Sequence, residues 1–293
     1  MRQGRGPDQS RAAQGGRLAV LTLSAAAGML AGEAGTIRID GMELGLNGRR
    51  VVVAGGSRGI GRAIAVAFAR EGAAVSICAR GAEALETARA EIASLGGVVH
   101  AASCDLSDPA AIAAYVPDAA SALGGIDILI NNATGYGRAD DEESWESSLS
   151  VDLLAAVRAS REALPFLERG RDAAIINIAS GSGINPSVRT PAYGAAKAAV
   201  IHYTRTQAAT LMKKGIRVNC IAPGSIEFPG GSWERRKTEA PALYQSILNA
   251  IPAGRLGLPE EVARVVVFLA SPMANWVTAQ VMQVNGGQGF GRG

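Results

Sequence analysis

The stretch Val51-Val52-Val53-Ala54-Gly55-Gly56-Ser57-Arg58-Gly59-Ile60-Gly61 decides the fold. Its first four residues form an unbroken apolar run, which suits a strand covered by helices on both faces. The glycines that follow let the backbone turn sharply and come close to a ligand. From Ile60 to Glu71 the pattern becomes amphipathic, so a helix starts at the turn, and its free N–H groups and dipole favour an anion. Strand, glycine turn and helix in that order is the setting that a dinucleotide's phosphates require. The spacing is Gly-x-x-x-Gly-x-Gly, and a glycine turn taken alone also suits any tight strand-to-helix corner.

Outward from this stretch, short apolar runs alternate with longer amphipathic ones. Strands are predicted over residues 74–78, 98–103, 126–131, 174–178, 216–221 and 280–284. Helices are predicted over residues 82–95, 109–123, 144–167, 192–214 and 259–269. Such alternation means parallel strands joined by right-handed crossovers. No linker or internal repeat interrupts residues 45–293, which are read as one α/β domain, a doubly wound parallel sheet in three layers. The irregular stretch at about 225–240 follows the sixth strand, where a lid over a ligand belongs, and Gly230 and Gly231 suit hinges in it.

The net charge of +3 and the lack of a basic run with interleaved aromatics argue against a nucleic-acid partner. Cys78, Cys104 and Cys220 are far apart and form no Cys-x-x-Cys pair, so they read as reduced apolar fillers in a cytoplasmic protein. His100 and His202 lack metal-ligand spacing, and no metal is expected. Residues 1–44 differ from the rest. Arg2, Arg5, Arg11 and Arg17 precede an apolar run from Leu18 to Ala31, superficially like an export signal. That run is too short and too rich in Ala and Gly to cross a membrane. The segment is read as a disordered extension or a mis-assigned start, with Met42 as the natural first residue. Export is the alternative.

With four further motifs in order, the chain resembles the short-chain dehydrogenase/reductase family from about Leu46 to Gly287. Asn131-Asn132-Ala133 resembles that family's Asn-Asn-Ala-Gly, with Thr134 in the last place. Tyr193-Gly194-Ala195-Ala196-Lys197 matches its Tyr-x-x-x-Lys. Ser180 stands thirteen residues earlier, at the family's serine, and Pro223-Gly224 matches after the sixth strand. The resemblance implies a Rossmann-type fold and a dinucleotide held by Gly55, Ser57, Arg58, Gly59, Ile60 and Gly61. It adds Arg80, Asp105, Leu106, Asn132, Ala133, Tyr193, Lys197, Pro223, Gly224 and Ile226 as further cofactor residues. Its 3-oxoacyl-thioester reductases are the most similar in pattern, and a homodimer or homotetramer is implied, packed through alanine-rich helices (Ala155, Ala156, Ala198, Ala199).

The residues also indicate which dinucleotide. A carboxylate ending the second strand would bind ribose hydroxyls and select NAD. Ala79 stands there, followed by Arg80, with Arg58 in the glycine loop. Two guanidinium forks suit a 2′-phosphate, so NADP(H) is expected.

Catalysis is expected from Ser180, Tyr193 and Lys197, with Asp152. Tyr193 and Lys197 are four apart and share a helix face. An ammonium beside a phenol lowers the phenol's pKa and readies it for proton transfer. Ser180 would bond the substrate oxygen. Asp152, in Val151-Asp152-Leu153, stands where the family places an asparagine that holds a water feeding protons to the lysine. A carboxylate there is expected to favour charged Lys197 and alter the pH dependence. Tyr136, Ile184 and Arg189 are expected to line the substrate pocket. Phe228 replaces a common threonine, and Arg235-Arg236-Lys237 could steer an anionic substrate. A non-catalytic NADP-binding sensor on the same fold is the competing function.

Overall fold

The computed structural model describes Met1 and residues 43–290. The expectation for residues 1–44 therefore falls, apart from Met1, Glu43 and Leu44, outside the described residues. The strands are β1 (Arg50–Ala54), β2 (Ala74–Ala79), β3 (Val99–Ser103), β4 (Ile128–Asn131), β5 (Ala174–Ile178), β6 (Arg217–Pro223) and β7 (Val281–Val284). The helices are α1 (Gly59–Arg70), α2 (Ala82–Ala93), α3 (Pro109–Leu123), α4 (Glu142–Ser147), α5 (Ala155–Leu167), α6 (Pro191–Leu211), α7 (Ser232–Glu239), α8 (Pro241–Ala250) and α9 (Pro259–Ala270). The seven strands form one parallel sheet in the order β3-β2-β1-β4-β5-β6-β7.

Successive strand residues point to opposite faces, so the apolar runs feed two cores. Val51, Val53, Ile128, Ile130 and Ile176 pack with the buried residues of α1, α2 and α9. Val52, Leu129 and Ile175 pack with those of α3 and α5 on the other face. Ala155 and Ala156, expected between subunits, are buried within the chain's own packing, whereas Ala198 is exposed.

After β3 the chain crosses to the far side of β1, where β4 pairs with it through Ala54 and Asn131. At this reversal of strand order the connections diverge and leave a crevice beyond the strand ends. Buried charges hold the frame beneath it. Asp127 is fully buried and accepts from the Arg50 side chain, from its backbone N–H and from the Arg171 N–H. The Arg217 guanidinium donates to the carbonyls of Leu269, Ala270 and Ser271, satisfying the end of α9.

Two elements differ from the sequence reading. The predicted helix over 144–167 begins at Glu142 and contains a π-type segment, Ser148–Leu154. This wider turn carries Asp152. The stretch read as irregular contains α7, and α8 follows it. Neither helix has a fully buried residue, and α7 (Ser-Trp-Glu-Arg-Arg-Lys-Thr-Glu) has no apolar stripe, so the periodic signal that reveals a core helix is missing. No described helix is long and apolar enough to cross a membrane.

Candidate active site

A cleft of about 1520 Å³ opens over the ends of β1, β4, β5 and β6. It exceeds the usual room for one drug-sized ligand, roughly 300–1,000 Å³, and suits a dinucleotide with a second molecule beside it. At one end lie Gly55, Ser57, Arg58 and Ile60 of the glycine turn, then Arg80, Asp105 and Leu106. Gly55 has φ +85°, a conformation open to glycine. α1 begins without a side-chain cap, so its first N–H groups face the cleft end unpaired by side chains.

Gly59 and Gly61, expected as ligand contacts, are also required by close packing. A Cβ on Gly61 would stand 2.0 Å from the Gly55 carbonyl oxygen and 2.4 Å from Asn132 Nδ2. This glycine is thus needed for close packing of α1 on the turn, and neither it nor Gly59 lines the cleft. A Cβ on Gly59 would meet the Phe228 ring at 2.6 Å, so Phe228 covers it. Asn132 lines the cleft beside Ala133 and also fixes the turn, donating to the Gly55 carbonyl at 2.8 Å.

A ribose 2′-phosphate would fit this end. Arg58 and Arg80 both line it, and the strand-end position that would carry a competing carboxylate is Ala79, also in the wall. Asp105 turns to its own loop, accepting from the Ser107 N–H at 2.9 Å and the Ser107 hydroxyl at 2.8 Å. Pro223, Gly224 and Ile226 continue the wall toward the middle of the cleft.

The chemical groups converge at the other end. Ser180 lies two residues beyond β5 and caps a short 3₁₀ turn, its Oγ accepting from the Ser182 N–H at 3.1 Å. Tyr193 and Lys197 are one turn apart on α6, and the lysine Nζ lies 5.7 Å from the centre of the tyrosine ring. Nζ donates to the Ile178 carbonyl at 2.9 Å and lies 3.1 Å from Asp152 Oδ1. Lysine has three donors, which leaves one for the cleft that Lys197 lines.

Asp152 does not reach the cleft. It stands behind Lys197, 2% exposed, rather than in the cleft wall where the sequence reading set its catalytic residues. Its Oδ2 accepts from the Gly135 and Tyr136 N–H groups at 3.2 and 3.3 Å. Tyr136 has φ +52°, a strained value for a bulky residue. That backbone turn accompanies two N–H groups aimed at one carboxylate. A chamber of about 10 Å³ adjoins Asp152 and Asn131, the size of a single water site. Two buried oxygens, Asp152 Oδ1 and Asn131 Oδ1, have no aligned hydrogen bond there.

These neighbours set the protonation states. Burial pushes the Tyr193 phenol above its ordinary value; Lys197 and the Ser180 hydroxyl pull it down, and Asp152 adds to the rise. The expected lowering by Lys197 is therefore present but outweighed. Burial pulls Lys197 down, yet Asp152 and Tyr193 hold it above its ordinary value, so it is a stable ammonium. Burial raises the Cys220 thiol to about 11, in keeping with an inert filler.

Several residues have no sequence signal. Ser160, Asn177, Thr204 and Gln207 join Asn131 of the Asn-Asn-Ala motif in a buried hydrogen-bonded chain under the site that ties β4 and β5 to α5 and α6. Arg138, Asn185, Trp233 and Gln288 line the cleft from distant segments. Of the expected wall residues, Tyr136 and Arg189 are in place, whereas Ile184 faces outward. His202 is exposed, away from the site.

Comparison with known proteins agrees with this geometry. Residues 54–288 match the family model described as enoyl-(acyl carrier protein) reductase. The isoepoxydon dehydrogenase of Penicillium expansum is 38% identical over 257 residues, covering 83% of this chain and 95% of that protein. A 3-oxoacyl-[acyl-carrier-protein] reductase of Chlamydia pneumoniae is 36% identical over 251 residues, covering 84% and 99%. The crystal structure of L-sorbose reductase from Gluconobacter frateurii, complexed with NADPH and L-sorbose, superposes with a TM-score of 0.78 at 33% identity, covering 84% and 98%. The chain thus belongs to the short-chain dehydrogenase/reductase family.

Proposed function

We propose that this protein is an NADP(H)-dependent oxidoreductase that interconverts a carbonyl and a secondary alcohol. The observation that carries the reading is the placement of the Tyr193 phenol, the Ser180 hydroxyl and the Lys197 ammonium at one end of a cleft whose other end is a glycine turn with two arginines. The nicotinamide, when bound, supplies or accepts the hydride. In the reducing direction Ser180 donates a hydrogen bond to the carbonyl oxygen, and Tyr193 gives that oxygen its phenolic proton as negative charge develops. Lys197 stabilises the resulting tyrosinate and directs its third N–H toward the cofactor ribose. A phenol raised by burial keeps its proton at neutral pH, as the reducing direction requires.

Asp152 holds Lys197 charged, and a water in the chamber between Asp152 and Asn131 would donate to Asn131 Oδ1 and to Asp152 Oδ1 beside its ion pair. The cofactor set is Gly55, Ser57, Arg58, Ile60, Arg80, Asp105, Leu106, Asn132, Ala133, Pro223, Gly224 and Ile226, with Gly59 and Gly61 shaping the turn. The relative that reduces 3-oxoacyl carrier thioesters makes such a thioester a reasonable substrate, and the protein is assigned to the cytoplasm.

The test is NADPH oxidation across a panel of ketones, with binding followed in parallel. Turnover of at least one ketone is expected, whereas tight binding without turnover of any would favour the sensor. Arg58→Ala with Arg80→Ala should raise KM for NADPH by about tenfold or more, since each charge-assisted contact contributes roughly 1.5–3 kcal/mol, and should leave NADH nearly unaffected. Equal loss for both cofactors would remove the 2′-phosphate from the argument.

The protein is further assigned as a dimer or tetramer. Phe268, Met273 and Trp276, close in sequence at the end of α9, are 39%, 52% and 101% exposed and offer apolar surface to a second copy of the chain. Sedimentation should give a species of twice or four times the chain mass; a monomer at every concentration would refute the assignment.

A further inference from the structure

We infer that the substrate carries an oxyanion, a carboxylate or a phosphate, received by Arg236 on the lid. The inference rests on the oxidoreductase reading and names the substrate class for the same site. It starts from Tyr136, whose ring meets the Tyr193 ring edge-on with centres 5.1 Å apart. Its N–H is taken by Asp152, so the backbone fixes where the ring stands. The Tyr136 hydroxyl accepts from Arg236 Nη2 at 3.2 Å. On its other side the guanidinium lies over the Trp233 ring, 4.5 Å from its centre. Arg236 is therefore held in the cleft wall, one aromatic ring away from the catalytic phenol.

Both supports are neutral. Among the described residues Arg236 has no carboxylate partner. Its neighbour Lys237 pairs with Glu227, which also accepts from the Tyr244 hydroxyl. The basic run on α7 thus splits: Lys237 is neutralised and Arg236 is left with charge to spare. Arg138, Arg189 and Arg235 also line the cleft, and among the described residues the one acid in its wall is Asp105, which is held in its own loop by Ser107. A half-buried guanidinium braced by a phenol and an indole, with N–H groups still free, is preorganised for a planar oxyanion. The surrounding arginines add a positive field that raises the local concentration of anions.

The test compares matched ketones with NADPH as cosubstrate. Acetoacetate and levulinate are set against their methyl esters, and dihydroxyacetone phosphate against dihydroxyacetone. In the wild type the anionic member of at least one pair should have a KM lower by about tenfold or more, as one charge-assisted contact provides. The acid pairs and the phosphate pair tell which oxyanion is used. Arg236→Gln should abolish the discrimination, while Lys237→Gln should preserve it. Dissociation constants of the same compounds for the protein–NADPH complex, from quenching of NADPH fluorescence, give the same ratio without turnover. Binding discrimination with no turnover would uphold the oxyanion site at Arg236 and count against the oxidoreductase reading alone. Equal affinity within every pair, no binding by any of these compounds, or discrimination that survives Arg236→Gln would overturn the inference.

Discussion

Tyr193→Phe should lose turnover by on the order of a hundred- to ten-thousand-fold while the protein stays folded and still binds NADPH. The substitution removes one oxygen and keeps the ring, so the edge-on contact with Tyr136 and the face near Lys197 survive. The chemical loss is specific. With the phenol gone, Ser180 can still bond the carbonyl oxygen but has no comparable proton to deliver, and Lys197 has no phenolate to stabilise. The measurement is kcat for ketone reduction beside the NADPH dissociation constant of the variant. A variant that turns over within about tenfold of the wild type would mean that the proton comes from elsewhere.

The second large effect concerns Asp152 and separates electrostatics from packing. Asp152→Ala leaves the Lys197 ammonium, itself 2% exposed, without its charged partner. Breaking a buried pair from one side costs about 3 kcal/mol or more, or roughly 6–12 °C in melting temperature for a domain of this size. Asp152→Asn keeps the shape and should cost less, so it reports on protons.

In the wild type, reduction requires protonated Tyr193. Because that group is raised, the rate should stay level through neutral pH and fall only when pH passes its elevated value. Asp152 contributes to the rise, so the asparagine variant should show the falling limb at lower pH. Oxidation needs the tyrosinate, and its rising limb should move to lower pH too. Overlapping pH–rate profiles for Asp152→Asn and wild type would remove the carboxylate from this role. Lys197 obeys the same sign: held above its ordinary value by Asp152, it contributes stability at neutral pH that is lost as pH rises through its folded value.

The likeness of fold and motif does not by itself fix chemistry. Here the departure from the family's asparagine has a structural counterpart. A carboxylate oxygen can only accept, and the chain answers with two N–H groups from Gly135 and Tyr136, the latter at positive φ. The same turn sets Tyr136 against Tyr193 and beneath Arg236. One buried carboxylate thus links the lysine side of the site to the wall that meets the substrate.

Much of this was legible in the chain itself. The unbroken runs at Val51–Ala54 and Ala174–Ile178 specify buried parallel strands, because only a sheet covered on both faces can use them. The glycine turn and the pairing of Tyr193 with Lys197 were readable from local spacing, Arg58 and Arg80 from the missing strand-end carboxylate, and Ser180 from the family resemblance. Spacing is silent on what depends on distant segments meeting. The family resemblance made Gly59 and Gly61 ligand contacts, and packing places a further demand on both, from Phe228 and from the Gly55 carbonyl. It put Asp152 in the active centre, whereas a π-type turn sets it behind Lys197. Spacing left α7 and α8 unseen because neither buries an apolar stripe. And it treated Arg235, Arg236 and Lys237 alike. Only the tertiary structure, by bringing Glu227 to one and Tyr136 and Trp233 to another, decided which charge is spent and which remains available.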